Sequence, residues 1–444
     1  MKIGLIAMSG IRVCDPELLQ LGFSLPGFVE RGKVIASLPS LGLLTLAGMT
    51  PRHIEVEYVE VRDLAADGAH ALRNFDLVAI SSYTAQIGEA YELADRFRAN
   101  GVAVVLGGLH VTALPEEAAH HADTVVVGEG ESVWLQLLRD FENGEMRRRY
   151  GSMEDQFDLA TAPMPAFELL DSARYNRITV QTSRGCPFRC EFCASSVLLT
   201  QAYKQKPAAR VLDELRKIGD LWPRPFIEFA DDNSLIDRRY WKPLLRKMQP
   251  LDLRWFAETD LSIADDPELL GLMRDSGCTE VLIGLESPVA EALSGLETRS
   301  DWKRRKFDQY EHSIHVIQNH GIRVNGCFIL GLDGHDGSVF DQVYQFVCRT
   351  ELFDVQITVL TPFPGTPLYE RLSAEGRLLE PTAWQRCTLF DVNFQPRHMT
   401  PLALRDGPSI GRGRLRGERW REKGYRFSEI GYFPYFFVAS TIVL

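Results

Sequence analysis

Cys186, Cys190 and Cys193 lie in the run Thr-Ser-Arg-Gly-Cys-Pro-Phe-Arg-Cys-Glu-Phe-Cys, and no other feature restricts the fold of this chain as much. The spacing is Cys-x3-Cys-x2-Cys, with Phe192 just before the last thiol. Thiolates this close in sequence can meet on one centre. Three of them are one fewer than a closed zinc site or a closed iron–sulfur cube requires. A [4Fe–4S] cube held in this way keeps one iron open to an outside ligand. The run follows a strand-like segment, Ile178-Thr-Val-Gln-Thr182, and a turn at Arg184-Gly185. The ligands are therefore expected on a loop above a strand end, where barrels carry their chemistry.

The plainer alternatives are a structural zinc site, a disulfide or buried free thiols. Zinc calls for a fourth Cys or His at regular spacing, and none follows Cys193 closely. No secretory signal opens the chain, and cysteine content is low for its length, which disfavours disulfides. Cys14, Cys278, Cys327, Cys348 and Cys387 are scattered and read as ordinary buried thiols. A length of 444 residues points to two or three domains, and 45% hydrophobic with 25% charged residues to a soluble globular protein. The net charge of −11 argues against a nucleic-acid partner held by the overall field. No apolar run is long enough to span a bilayer. A reducing, cytoplasmic location follows from the cysteine usage.

The first part alternates strands and helices. Residues 2–8, 54–61, 75–81, 102–106 and 123–127 read as strands, with helical segments at 39–49, 87–98 and 132–141. The runs at 75–81 and 102–106 are continuously apolar, as in strands covered on both faces, whereas 54–61 alternates. Residues 1–150 are thus expected to form a doubly wound, Rossmann-like α/β domain. Pro163 and Pro165 mark 151–176 as a linker. Alternation then restarts, with strands near 178–182, 226–230, 254–258, 280–286, 322–330 and 354–360. The best-marked helices are at 209–221, 267–275 and 312–320. Asp266 stands as N-cap before Pro267, and Gly277 and Gly321 follow helix ends. These units suit a partial (β/α)6 TIM-type barrel over 177–375. Residues 376–444 form a C-terminal extension whose arginine-rich and then apolar tail reads either as a poorly ordered end or as a membrane-surface contact.

The cysteine run resembles the cluster loop of the radical S-adenosylmethionine (SAM) superfamily. The resemblance implies a [4Fe–4S] cluster on Cys186, Cys190 and Cys193 with SAM at the fourth iron. SAM is then cleaved to methionine and a 5′-deoxyadenosyl radical with an electron from an external low-potential donor. Further segments are similar to family motifs. Phe229-Ala-Asp-Asp brings Asp231 and Asp232 toward the SAM ammonium or the substrate cavity, although a helix N-cap role fits Asp232 or Asn233 equally well. Phe256-Ala-Glu-Thr259 offers Glu258 to the ribose hydroxyls, or to a nearby Arg such as Arg254, and Ile283-Gly-Leu-Glu-Ser offers Glu286 and Ser287 to the ribose or carboxylate. Phe192 lies at the SAM site, and the strand holding Gly326 passes the adenine. Thr361-Pro-Phe-Pro-Gly-Thr-Pro367 shapes the cavity.

The first domain resembles the cobalamin (B12)-binding domain that precedes the barrel in one radical SAM class. Ser81, Ser82 and Thr84, Gly107-Gly108-Leu-His110 and Gly128-Glu129-Gly-Glu131 carry that likeness. It implies that Ser81, Ser82, Thr84, Gly107, Gly108, Gly128 and Glu129 hold the nucleotide arm. No histidine occurs at 8–38, so ligation of cobalt through an Asp-x-His-x-x-Gly motif is excluded, and His110 reads as structural. The expected activity is methylation of an unactivated carbon of a small molecule. Ring closure or rearrangement without methylcobalamin is the second expectation, and a non-enzymatic iron–sulfur carrier the third.

Overall fold

Lys2–Met8 shows how the first layer is built. Ile3, Leu5 and Ala7 pack into one apolar cluster and Ile6 and Met8 into another, so the strand is covered on both faces. Leu77 and Ala79 against Val78 and Ile80, and Val105 against Val104 and Leu106, divide in the same way. A computed structural model describes residues 1–20, 38–71, 73–195 and 202–407. In it β1 (Lys2–Met8), β2 (Glu55–Val61), β3 (Leu77–Ser82), β4 (Ala103–Gly107), β5 (Thr124–Val126) and β6 (Arg149–Tyr150) form one parallel sheet, ordered β2-β1-β3-β4-β5-β6. The alternating segment 54–61 becomes the edge strand β2, exposed at Glu55 and buried from Val59 onward. The short β6 carries too little pattern to be read from sequence.

A second chain of strands begins at β7 (Ile178–Val180). A small antiparallel pair follows, β8 (Ser183–Arg184) with β9 (Lys204–Gln205). Then come β10 (Phe226–Phe229), β11 (Arg254–Thr259), β12 (Cys278–Glu286), β13 (Arg323–Leu330) and β14 (Asp354–Val359). The parallel order is β14-β13-β12-β11-β10-β7. Among the described residues β7 and β14 do not pair, so the barrel is open along one side. Helices Ala208–Leu221, Arg238–Met248, Pro267–Asp275, Tyr310–Asn319 and Val339–Thr350 pack on its outside. Asp266 caps its helix through Leu269 N–H at 3.0 Å.

One expectation needs correction, the burial of every scattered cysteine. Residues 151–176, read as the linker, pack against both units: Ala166 lies in the core of the first sheet and Phe167 in that of the second. The backbone carbonyl of Met164 passes so close to Gly48 that a Cβ there would lie 2.1 Å from it. Residues 376–407 of the extension dock on the first domain, with Trp384 Nε1 donating to Glu117 (3.1 Å) and Asp391 accepting from Cys14 N–H (2.9 Å) and Asp15 N–H (3.0 Å). The arginine-rich tail lies outside the described residues. Finally, Cys14 and Cys348 are exposed, whereas Cys278, Cys327 and Cys387 are buried. No helix among the described residues is long and apolar enough to cross a membrane.

Candidate functional site: two cavities joined by the cluster loop

The cysteine loop is held from both sides before any metal is considered. Thr182 N–H and hydroxyl and Ser183 N–H donate to Asp231 at 2.7, 2.5 and 2.9 Å, and Ser234 adds a fourth bond at 3.1 Å. Gly185 (φ 85°) turns the chain, and its N–H donates to Asp232 at 2.7 Å. Arg189 N–H donates to Glu297 (3.0 Å), and Glu191 N–H to the Leu296 carbonyl (3.0 Å). Arg371 clamps the Glu191 carboxylate with two bonds, at 2.7 and 3.0 Å. Burial opposes the ionisation of Glu297, yet Ser300 and the N–H groups of Arg189, Arg299 and Ser300 hold its carboxyl down at about 2.

Above this frame Cys186, Cys190 and Cys193 all line one cavity of about 260 Å³. All three are partly exposed, and none is in a disulfide. Among the described residues no three Cys, His, Asp or Glu side chains close on a single ion. A cube does not require that, because each thiolate takes its own iron corner. Burial, reinforced by the neighbouring Cys193, pushes Cys186 up to about 12, and burial raises Cys190 as well. Such thiols surrender their protons when a cation takes their place. The donor set and its mouth therefore fit a cluster.

The same cavity receives Phe192, Asp232, Glu258 and Glu286. Asp232 also accepts from the Ser195 hydroxyl, so it anchors the loop and is not a helix cap; the following helix is capped by Asp237. Burial raises its carboxyl. Glu286 sits at φ 62° beside an irregularity in β12, and Lys303 Nζ meets its carboxylate and the Gly284 carbonyl, both at 2.7 Å. Asp231, Ser287 and Gly326 do not line this cavity. Asp231 is enclosed, with both oxygens taken by the loop. Ser287 is buried against His335 Nε2 (2.8 Å) and Val289. Gly326 faces the helical layer, where a Cβ would meet Leu352 at 2.7 Å, so packing accounts for this glycine.

The cobalamin candidates divide between two cavities. Ser82 and Thr84 face the cluster cavity, together with Tyr83, Leu109 and His110. Ser81, Gly107, Gly108, Gly128 and Glu129 line a separate slot of about 80 Å³ beside the helix Leu41–Met49. Ser81 Oγ is buried without a hydrogen-bond partner among the described residues. A Cβ on Gly107 would meet nothing closer than 3.7 Å, so protein packing does not demand that glycine. A slot with an orphaned hydroxyl and a dispensable glycine fits an inserted nucleotide arm. Glu129 is committed to the protein: Arg184 (2.7 Å), Lys204 (2.5 Å) and Phe157 N–H (2.7 Å) take its oxygens. Arg184 also holds Glu131 at 2.7 Å, and the chain reaches Cys186 two residues later. His110 is enclosed between Glu117 (3.1 Å) and Trp384 (ring centroids 5.4 Å apart), and burial lowers its pKa.

Sequence reasoning gave no site role to Lys303, Arg184 or Gln356, and named Glu131 only within the B12-domain likeness. Lys303 is the only Lys or Arg lining the cluster cavity among the described residues, and it arrives from a short helix outside every motif. The position of Arg184 directly before the Gly-Cys turn was a usable signal. Gln356 carried none.

The chain is similar to known proteins over both units. Residues 31–138 match the B12 binding domain family and residues 180–347 the Radical SAM superfamily. An uncharacterised methyltransferase of Synechocystis sp. is 31% identical over 369 residues, 81% of this chain and 67% of that protein. Bacteriochlorophyllide d C-12(1)-methyltransferase of Chlorobaculum tepidum is 29% identical over 377 residues, 84% of this chain and 80% of its own. The solved structure of the radical S-adenosylmethionine methyltransferase TsrM from Kitasatospora setae, with cobalamin and a [4Fe–4S] cluster bound, shares the fold. Its TM-score is 0.67 at 16% identity, over 92% of this chain and 90% of that one. With the cluster loop, the barrel and the preceding slot-bearing sheet all accounted for, the chain belongs to the radical SAM superfamily, in the class whose barrel follows an N-terminal B12-binding domain.

Proposed function

We propose that this protein methylates an unactivated carbon of a small, largely apolar metabolite. The observation that carries the reading is one cavity faced both by the three cluster cysteines and by Ser82, Tyr83 and Thr84 at the end of β3. When bound, the cluster with SAM supplies hydrogen-atom abstraction from an unreactive C–H bond, and cobalamin supplies a transferable methyl group. The chain's own residues bind, orient and exclude water. Asp232, fixed by Gly185 and Ser195, and Glu258 place negative charge near the cysteine loop, which supports reception of an ammonium and ribose hydroxyls. Phe188 and Trp302 meet edge to face (5.5 Å) and, with Phe192 and Phe363, give that cavity an apolar wall. Ser81 and the glycines Gly107, Gly108 and Gly128 support seating of the nucleotide arm. A relative named for methylating bacteriochlorophyllide d supports a small-molecule substrate. The reading also calls for an external low-potential electron donor and a reducing compartment such as the cytoplasm.

Anaerobically reconstituted protein should retain cobalamin through gel filtration and convert SAM to 5′-deoxyadenosine together with S-adenosylhomocysteine. Deoxyadenosine without retained cobalamin would favour ring closure or rearrangement. A loaded cluster that cleaves no SAM would leave only an electron carrier. Cys190→Ala should abolish cleavage, and persistent cleavage would sink the ligand assignment.

A further inference from the structure

The inner face of β14 carries one side chain that nothing among the described residues satisfies. Ile357 and Val359 belong to the apolar core outside the barrel, so the alternating residues Gln356 and Thr358 point inward, and both line the cluster cavity. Gln356 is 0% exposed, and neither its Oε1 nor its Nε2 has a hydrogen-bond partner. Thr358, by contrast, bonds the Phe328 carbonyl at 3.3 Å. Its register partner is Cys327, and Leu282 and Ile329 line the same cavity, with Glu258, Glu286 and Lys303 within electrostatic reach of Cys327. A primary amide buried without partners destabilises the fold, and Leu or Met would fill the same volume without that cost. Its presence in the cavity points to a partner brought by a ligand.

We propose that Gln356 is a specificity residue that reads a neutral, planar hydrogen-bonding edge of the substrate, a lactam, amide or conjugated carbonyl on an otherwise apolar body. A carboxamide offers one donor and one acceptor in a plane and no charge, so its complement is another neutral edge. A site built for such a pair discriminates against molecules lacking it. The substrate is the source, and not SAM, because the acids Asp232, Glu258 and Glu286 stand at the ends of β10, β11 and β12. Gln356 is on β14, the edge strand at the opposite end of the sheet from the cluster strand β7. The inference rests on the methyltransferase reading only in naming the ligand a substrate.

The test uses cobalamin-loaded, cluster-reconstituted protein under anaerobic conditions with S-adenosylhomocysteine bound. Two probes of similar outline are measured by equilibrium dialysis: 2-quinolone, with adjacent N–H and C=O, and 2-methylnaphthalene, with neither. Gln356→Leu should weaken 2-quinolone about tenfold and leave 2-methylnaphthalene equal or tighter. Gln356→Met should repeat the result. The ligand-free variant should melt about 2 °C or more above the wild type, since an unpaired amide has been removed. Iron content and S-adenosylhomocysteine affinity should not change. Parallel effects on both probes, no binding of 2-quinolone to the wild type, a lowered Tm in both variants, or lost S-adenosylhomocysteine affinity would each overturn the proposal. None of these readouts depends on SAM cleavage, so they fail or succeed separately from the methyltransferase reading.

Discussion

The two parallel sheets share strand direction and repeat, yet they make sites in opposite ways. In the first sheet every inner strand is apolar on both faces, and the slot is formed at strand ends by what is missing: the side chains of Gly107, Gly108 and Gly128. In the barrel one face of each strand is apolar and faces helices, while the other carries Glu228, Glu258, Glu280, Asn325 and Gln356 into the interior. A flat sheet clad on both sides has nowhere to put a polar side chain except its rim. A curled sheet encloses a volume and can hold chemistry along the strand itself. Arg184 is where the two designs meet, since it stands in β8, just after the cluster strand β7, and bonds the loop that rims the slot.

That junction predicts the largest effect. Arg184→Met leaves Glu129 and Glu131 buried without their shared cation and should cost roughly 3–5 kcal/mol in denaturant unfolding, with less cobalamin retained. Burial opposes ionisation of Glu131, but Arg184 holds its carboxyl below the usual range. A loss under about 1 kcal/mol would mean that the two regions are stabilised independently.

The polar barrel interior should appear in the pH profile. Burial pushes Glu280 up to about 7, with Asn325 Nδ2 at 3.4 Å as the opposing hydrogen bond. The folded state therefore holds this proton more tightly than the unfolded chain does. Its stabilising effect is complete below about 4.5 and is lost as pH rises toward 7, up to roughly 3 kcal/mol. Glu280→Gln should flatten unfolding free energy across that window, and parallel profiles for variant and wild type would show the carboxylate to be ionised throughout.

Thr182→Val removes one hydrogen bond to the buried Asp231 carboxylate. It should lower stability by about 1.5–3 kcal/mol and reduce cluster occupancy measured as bound iron. The contrast between the sheets is sharpened most finely by two glycines of the slot. Gly128 has φ 78°, and a Cβ there would lie 2.5 Å from the Ser152 carbonyl, so Gly128→Ala should destabilise by about 2 kcal/mol. Gly107→Ala should change stability by less than about 1 kcal/mol while weakening cobalamin retention. Equal stability losses at both would make the slot a packing feature.

The apolar runs and the cysteine spacing were legible because each is a local pattern. Continuous hydrophobicity reports a strand covered twice, and three thiols in one loop report a shared centre. The helix at 267–275 was read with its cap because Asp266, Pro267 and Gly277 signal through their own backbone preferences. Motif likeness was less reliable at single residues. Asp231 and Asp232 are adjacent in sequence, yet only Asp232 reaches the cavity, because the chain turns between them and gives both Asp231 oxygens to Thr182, Ser183 and Ser234.

The sequence by itself determined a cluster loop above a strand, two successive parallel α/β units and a cobalamin-type first domain. The first two arise from periodicity and short-range spacing, which survive without a partner in space, and the third rests on motif likeness to a known family. Tertiary structure alone decided that Arg184 ties slot to cluster loop, that Lys303 faces Glu286, that the segment holding Trp384 folds back on the first domain, and that Gln356 is left without a partner. Each depends on residues far apart in the chain meeting in a desolvated place, where pairing or its absence carries a free energy that no local pattern records.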